Sequence, residues 1–190
     1  MKKQIGICAL IAVLVLAVTC TSQLMAEDYR NKETKYITNT AFITAVERAT
    51  YINWTKEEDG AVPLTPENLE IIRAVTELDL SYMELTDLSG IEWFSELEVL
   101  DCNGNWLTEL DLSQNSNLWS LRCNSNQLRS LDLSHNTALE ELYCGSQKTS
   151  GGEVQELVLS LTVEQREIWD SYWASARIDK ANNYDVRIKE

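Results

Sequence analysis

One interval, repeated along the chain, restricts this sequence more than any other property it has. Residues 97–107 read LEVLDCNGNWL, residues 118–128 read LWSLRCNSNQL, and residues 139–147 read LEELYCGSQ. Leu97, Leu118 and Leu139 stand 21 apart, as do Leu100, Leu121 and Leu142, and as do Cys102, Cys123 and Cys144. The pieces between agree as well: residues 110–115 (LDLSQN) match residues 131–136 (LDLSHN). Upstream, Val75 to Leu80 (VTELDL) opens a first copy that is longer by one. Copies of this length stack on one another, because a single copy cannot bury its apolar face.

The spacing assigns each position a direction. A short strand in each coil turns its Leu and Cys inward and the residues between them outward. Stacked coils then share one parallel sheet, with strands about 4.8 Å apart. Asn105 and Asn126 fall where the chain leaves the strand, and their amides suit turn backbone groups that would otherwise be buried unpaired. Asn115 and Asn136 are expected to do the same on the opposite wall. Met83 and Gln147 replace the first asparagine in the outer copies, as befits irregular terminal repeats. Cysteines at identical positions of successive coils form a row, whereas a metal site needs ligands that converge. Their parallel side chains also suit a disulfide torsion badly. Cys102, Cys123 and Cys144 are therefore read as reduced, buried apolar residues, and no metal or cofactor is expected.

This pattern resembles the leucine-rich repeats of bacterial surface proteins, in particular the internalin-like subclass whose 21-residue repeats carry a stacked cysteine. The resemblance implies a leucine-rich-repeat solenoid of about four coils, with a helical cap before it. It also implies a surface-displayed, non-catalytic binding module. Members of that family usually carry more repeats than this chain does.

An open solenoid end would expose leucines and unpaired strand groups, so both ends need covers. Phe42, Val46 and Ala49 recur at helical spacing. Thr65-Pro66 reads as the N-cap and first residue of a second helix that carries Leu69 and Ile72 inward. Downstream, Leu157-Val158-Leu159 reads as a strand. Thr162 and Gln165 have capping-box spacing for a helix to about Ala174, with Ile168, Trp169, Tyr172 and Trp173 on its apolar side. Asn182-Asn183 turns the chain toward a final strand at Val186 and Ile188. The acidic loop Thr55–Val62 occupies the place where relatives often carry an EF-hand-like loop. Aligned on Gly60, it offers Thr55, Glu57 and Asp59 as ligands, but it has Pro66 where the bidentate glutamate belongs. An acidic turn is the reading adopted.

Residues 1–26 differ from the rest. Met1-Lys2-Lys3 precedes a continuous apolar run, Ile5 to Val18, too short to span a bilayer and suited to a signal peptide. Cleavage after Ala26 is one pattern. The other is Ala17-Val18-Thr19-Cys20, which resembles a degraded bacterial lipobox with lipid attached at Cys20; an uncleaved anchor is a third. The expected organisation is a signal segment at 1–26, a linker and helical cap at 27–74, repeats at 75–147 and a strand-helix-strand cap at 148–190. The chain is expected to be secreted or attached at the cell surface, and monomeric.

Formal charge is -14, and losing residues 1–26 removes two lysines and no acids, leaving -16. Such a surface repels phosphate backbones and anionic headgroups, which argues against nucleic acid as a partner. The single histidine, His135, falls in a repeat turn. No Gly-rich phosphate loop is present, and abundant acids on a repeat surface do not make a catalytic pair. No catalytic residues are assigned.

Outward positions form rows across the coils: Glu77, Val99, Ser120 and Glu141; Asp79, Asp101, Arg122 and Tyr143; Ser81, Asn103, Asn124 and Gly145. Trp119 flanks the first row. The candidate binding residues are Val99, Asp101, Asn103, Trp119, Arg122, Asn124, Glu141 and Tyr143, since Trp, Tyr and Arg are enriched at binding hot spots. Trp106, at the other end of its strand, is a separate candidate. The function read from this surface is recognition of a protein or peptide, with a glycan as a variant target. The alternative is a structural envelope protein without a dedicated ligand.

Overall fold

The computed structural model describes residues 34–167 and the backbone of a strand at 186–188. The elements below belong to the unit Tyr36–Glu190. The signal segment, Cys20 and the apolar residues Ile168, Trp169, Tyr172 and Trp173 lie outside the described residues, as does the Asn182-Asn183 turn.

The N-terminal cap is a two-stranded ribbon and two helices. Strand β1 (Tyr36–Ile37) pairs antiparallel with β2 (Val62–Pro63). Helix α1 (Thr40–Thr50) starts at Asn39, whose side chain accepts from the backbone N–H of Phe42 at 3.0 Å, so one orphan donor of the first turn is satisfied. Its buried face is Phe42, Ile43, Ala45 and Val46, and Ala49 is half-buried. Helix α2 (Pro66–Arg73) starts at Thr65 with Pro66 in its first turn; Ile72 is buried and Leu69 is half-buried. Phe94 joins this cap to the repeats, with Phe42 and Trp54 meeting its ring edge-on at 5.8 and 6.4 Å between centroids.

The repeats form a parallel sheet of four strands, β3 (Glu77–Asp79), β4 (Val99–Asp101), β5 (Ser120–Arg122) and β7 (Glu141–Tyr143), in that order. Register follows the sequence period: Leu78, Leu100, Leu121 and Leu142 are successive partners. All four leucines are buried, as are Leu97, Leu118 and Leu139 and the three cysteines one step further on. Helix α1 lies against β3, so the first coil is covered. A 3-10 turn (Ile91–Trp93) carries the first coil back from its strand.

A second parallel sheet, of three strands, goes beyond the single sheet expected from sequence. Strand β6 (Ser130–Asp132) pairs with β8 (Leu157–Ser160), and β8 pairs with β9 (Val186–Ile188). Leu131-Asp132-Leu133 and Leu157-Val158-Leu159 share the same alternation, with the leucines buried and the residue between them outside. Leu131 and Leu159 are register partners although their separation exceeds the repeat by seven. The extra length leaves as a hairpin, in which Lys148 and Val154 bridge antiparallel and Thr149 donates to the Glu153 carbonyl at 2.7 Å.

Candidate binding face and the amides that hold it

Rows of buried side-chain amides fix the coils, and so fix what the sheet presents. Asn105 donates to the carbonyls of Leu80 (2.8 Å) and Cys102 (2.9 Å), while its Oδ1 accepts from Met83 and Leu85 N–H groups, both at 3.0 Å. One coil on, Asn126 donates to Cys102 (2.9 Å) and Cys123 (3.0 Å) and accepts from Leu107 N–H at 3.1 Å. Gln147 continues the row, donating to Cys123 (2.9 Å) and Cys144 (2.8 Å) and accepting from Leu128 N–H at 2.9 Å. Each amide bridges its own coil and the previous one, so the stack is hydrogen-bonded as well as packed.

The other wall has its own row. Asn115 donates to Ile91 and Phe94 carbonyls (2.9 and 3.0 Å), and Asn136 donates to those of Leu112 and Asn115 (both 2.9 Å). Gln165 completes it with bonds to Leu133 (2.7 Å) and Asn136 (3.0 Å). The role of Gln165 in the wall is not evident from sequence, where its position reads only as a helix start. It does both. Its Oε1 accepts from Thr162 N–H at 2.7 Å while Thr162 Oγ1 accepts from Gln165 N–H at 3.1 Å, the reciprocal capping pair. Asn68 is a second residue that sequence reasoning misses: fully buried on α2, it bonds both backbone groups of Thr55 and the Pro63 carbonyl.

On this frame the register places Glu77, Val99, Ser120 and Glu141 in one row and Asp79, Asp101, Arg122 and Tyr143 in the next. The Arg122 guanidinium lies 5.2 Å from the Tyr143 ring centroid and 3.9 Å from Asp101. Those three residues come together across adjacent strands. Asp101 also accepts from the backbone and side chain of Asn103, so that carboxylate is half-buried and oriented from two sides. Ser120, an outward position, is covered: it is buried and donates to Glu141 at 3.2 Å. Val99, Asn103, Asn124, Glu141 and Tyr143 are half-buried, and Trp119 is exposed at the margin. Trp106 is exposed in the turn after β4, apart from these rows.

The cysteine row carries no reactive character. Cys102, Cys123 and Cys144 are buried, and none of the three is in a disulfide. Burial pushes the Cys102 thiol far above its usual range, with the Asp101 carboxylate adding to the effect. Burial does the same for Cys123, reinforced by Cys144 and Cys102. Such thiols stay protonated at neutral pH and are poor nucleophiles. His135 is exposed, and its ring faces Ser134 Oγ at 3.4 Å. In the acidic loop, Asp59 Oδ1 accepts from Ala61 N–H at 3.0 Å and Gly60 N–H donates to Glu57, which is the bonding of a turn. No group of three or more metal-ligating side chains is found among the described residues.

No protein-family model and no curated protein matches the chain. Among solved structures it is similar to the functional domain of InlJ from Listeria monocytogenes, a domain that includes a cysteine ladder, at 28% identity and a TM-score of 0.51. A second is the internalin InlF of Listeria monocytogenes, at 19% identity and a TM-score of 0.44. The matches take in 69% and 66% of this chain, but only 31% and 42% of those chains. The chain is a short, mostly parallel β-solenoid structurally related to the functional domain of InlJ.

Proposed function

We propose that this chain is an exported, non-catalytic recognition module that binds a protein or peptide through the β3-β4-β5-β7 face. The observation that carries the reading is the clustering of Arg122, Tyr143 and Asp101 on neighbouring strands, with Trp119 exposed at the sheet margin just before β5. A purely structural envelope protein has no need of an aromatic and guanidinium cluster on its sheet, and a uniformly polar face would suit it better. The strands hold these groups before any partner arrives, so little ordering cost attaches to binding. Trp119 and Tyr143 supply apolar area with a polar handle, and Arg122 supplies a planar fork. The surrounding Glu98, Asp101 and Glu141 speed the approach of a partner bearing basic groups at low salt.

The test is capture of a partner from envelope and host extracts by wild type and by the Trp119→Ala/Tyr143→Ala double variant, with melting checked to be unchanged. Loss of binding in the double variant supports the sheet face. Wild-type binding there, together with loss in Gln114→Ala/His135→Ala on the opposite wall, puts the site elsewhere.

A further inference from the structure

The turns by which the chain leaves β3, β4 and β5 hold a feature that the sheet face does not use. Tyr82, Gly104 and Ser125 occupy the same place in successive coils, each donating its N–H to a carbonyl of the next coil at 3.0 Å. With Ser146 they share a left-handed backbone, φ being 55°, 68°, 57° and 57° in chain order. Two serines and a tyrosine adopt that conformation, so the backbone alone does not call for glycine at 104. The neighbouring ring does. A carbon added to Gly104 would stand 2.5 Å from Tyr82 Cδ1 and Cε1 and 3.1 Å from Cγ, which puts it over the face of the ring and not beyond its edge. The tyrosine therefore lies flat on the glycine of the next coil, and its outer face stays open, since Tyr82 is 75% exposed.

Trp106 stands two residues beyond Gly104, so their Cα atoms are within about 7.6 Å and the indole shares the turn with the tyrosine ring. It is 51% exposed. The third coil is bonded directly alongside, Gly104 N–H to the Asn124 carbonyl at 3.0 Å and Gln127 N–H to the Leu107 carbonyl at 2.9 Å. The side chains of Tyr82, Trp106, Asn124 and Gln127 make no hydrogen bond among the described residues. Glu84, exposed in the first turn, adds a carboxylate.

We infer that these turns form a second binding site, separate from the sheet face, that takes the uncharged pyranose units of a glycan. A pyranose with equatorial hydroxyls has a flat C–H face, which packs on an open aromatic ring and needs no pocket. Its rim of hydroxyls needs donors and acceptors at the side. Tyr82, held on Gly104, supplies one ring and Trp106 a second, while the Asn124 and Gln127 amides and the Glu84 carboxylate serve the rim. An apolar peptide side chain gains most in a closed, desolvated pocket, and rings this exposed do not provide one. The formal charge of -14 repels an anionic sugar, and none of these side chains is basic.

The probes are tetramers of β-1,4-linked glucose, N-acetylglucosamine and glucuronic acid, titrated into the purified protein while amide and indole resonances are followed. At least one neutral tetramer is expected to bind with a Kd of about 1 mM or tighter, shifting the Trp106 indole N–H and the Gly104 amide, and the glucuronate tetramer is expected not to bind. Trp106→Ala and Tyr82→Ala should each weaken binding roughly fivefold or more, whereas Tyr82→Phe keeps the ring and stays within about twofold. Gly104→Ala should weaken it as Tyr82→Ala does, because the added carbon lifts the ring. Trp119→Ala/Tyr143→Ala should bind the sugar as wild type does. No binding of either neutral tetramer up to about 10 mM, tenfold above the expected Kd, overturns the inference. So does binding that survives Trp106→Ala, Tyr82→Ala or Gly104→Ala, or a tighter glucuronate complex. Loss of the sugar in Trp119→Ala/Tyr143→Ala moves it to the sheet face, and a Gly-Phe-Gly-Phe-Gly peptide that shifts the same resonances at lower concentration than both sugars makes the turns a peptide site; either result rejects the inference.

Discussion

The side-chain amide of Gln165 donates to the main-chain carbonyl of Asn136 at 3.0 Å, the same service that Asn136 performs for the carbonyl of Asn115 at 2.9 Å. A glutamine therefore closes a row of asparagines. The other wall ends in the same way, with Gln147 following Asn105 and Asn126. The longer side chain matches the place. Where the chain leaves its regular path, into the hairpin after Gln147 and into the helical turn at 163–167, the backbone no longer follows the regular coil and the extra methylene restores the reach.

Gln165→Ala should cost about 2–4 kcal/mol, because it leaves two buried carbonyls without their donor and removes half of the capping pair. Glu164→Ala, at its exposed neighbour, should stay within about 0.5 kcal/mol. Urea unfolding of both variants decides the point, and equal midpoints would remove Gln165 from the wall.

Asn105 and Asn115 should not be equally costly to lose. Asn105 uses both its oxygen and its nitrogen, whereas Asn115 uses its nitrogen and its buried Oδ1 has no partner among the described residues. Asn105→Ala should therefore lose about 3–5 kcal/mol and Asn115→Ala about 1–3 kcal/mol. The order of the two unfolding midpoints is the measurement; a reversed order contradicts the hydrogen-bond assignment.

Much of this architecture is legible in the sequence because a repeat states the same contact several times. Leu100, Leu121 and Leu142 are register partners for the same reason that they recur at one interval. The second sheet is harder to see, because Leu131-Asp132-Leu133 is only a short alternation and its partner β8 lies beyond a seven-residue insertion. Gln165 is readable as a helix start but not as a wall residue, since its distance from Asn136 breaks the period. Of the face, the sequence yields the rows but not the contacts. Whether Arg122 reaches Tyr143 or Asp101 depends on rotamers, and Ser120 sinks beneath Glu141 although its position points outward.

Gly90 should tolerate no side chain. Its φ is +116°, and a Cβ there would stand 2.6 Å from Ile37 Cγ2 and 2.9 Å from the Phe42 ring. Those neighbours belong to the cap, so the close approach joins the cap to the first coil. Gly90→Ala should lose at least about 2 kcal/mol, combining left-handed backbone strain with overpacking. Gly152→Ala separates the two causes, because its φ is +83° but nothing lies within 4 Å of the added carbon. It should lose about 1 kcal/mol, and calorimetric melting that ranks the pair the other way would argue against the close packing at Gly90.

The cysteine row should make the protein lose stability in alkali. An unfolded thiol ionises near pH 8.5, whereas burial holds Cys102 and Cys123 protonated well above that. A raised pKa means that the folded state keeps protons which the unfolded chain gives up. The contribution is therefore fully present below about pH 8.5 and is lost as pH rises from there toward the folded value. Each such thiol should add about 1.4 kcal/mol of destabilisation per pH unit in that range. Cys123→Ala starts lower at pH 7, by about 1–3 kcal/mol for the small cavity it leaves. Its stability should nevertheless fall more slowly with pH, because one coupled proton is gone, so the two curves converge toward pH 10. Unfolding in urea from pH 7 to pH 10, with a non-thiol reductant present, gives both slopes; parallel curves, or fast labelling of the native thiols at pH 7, would show that the row is neither buried nor coupled to folding.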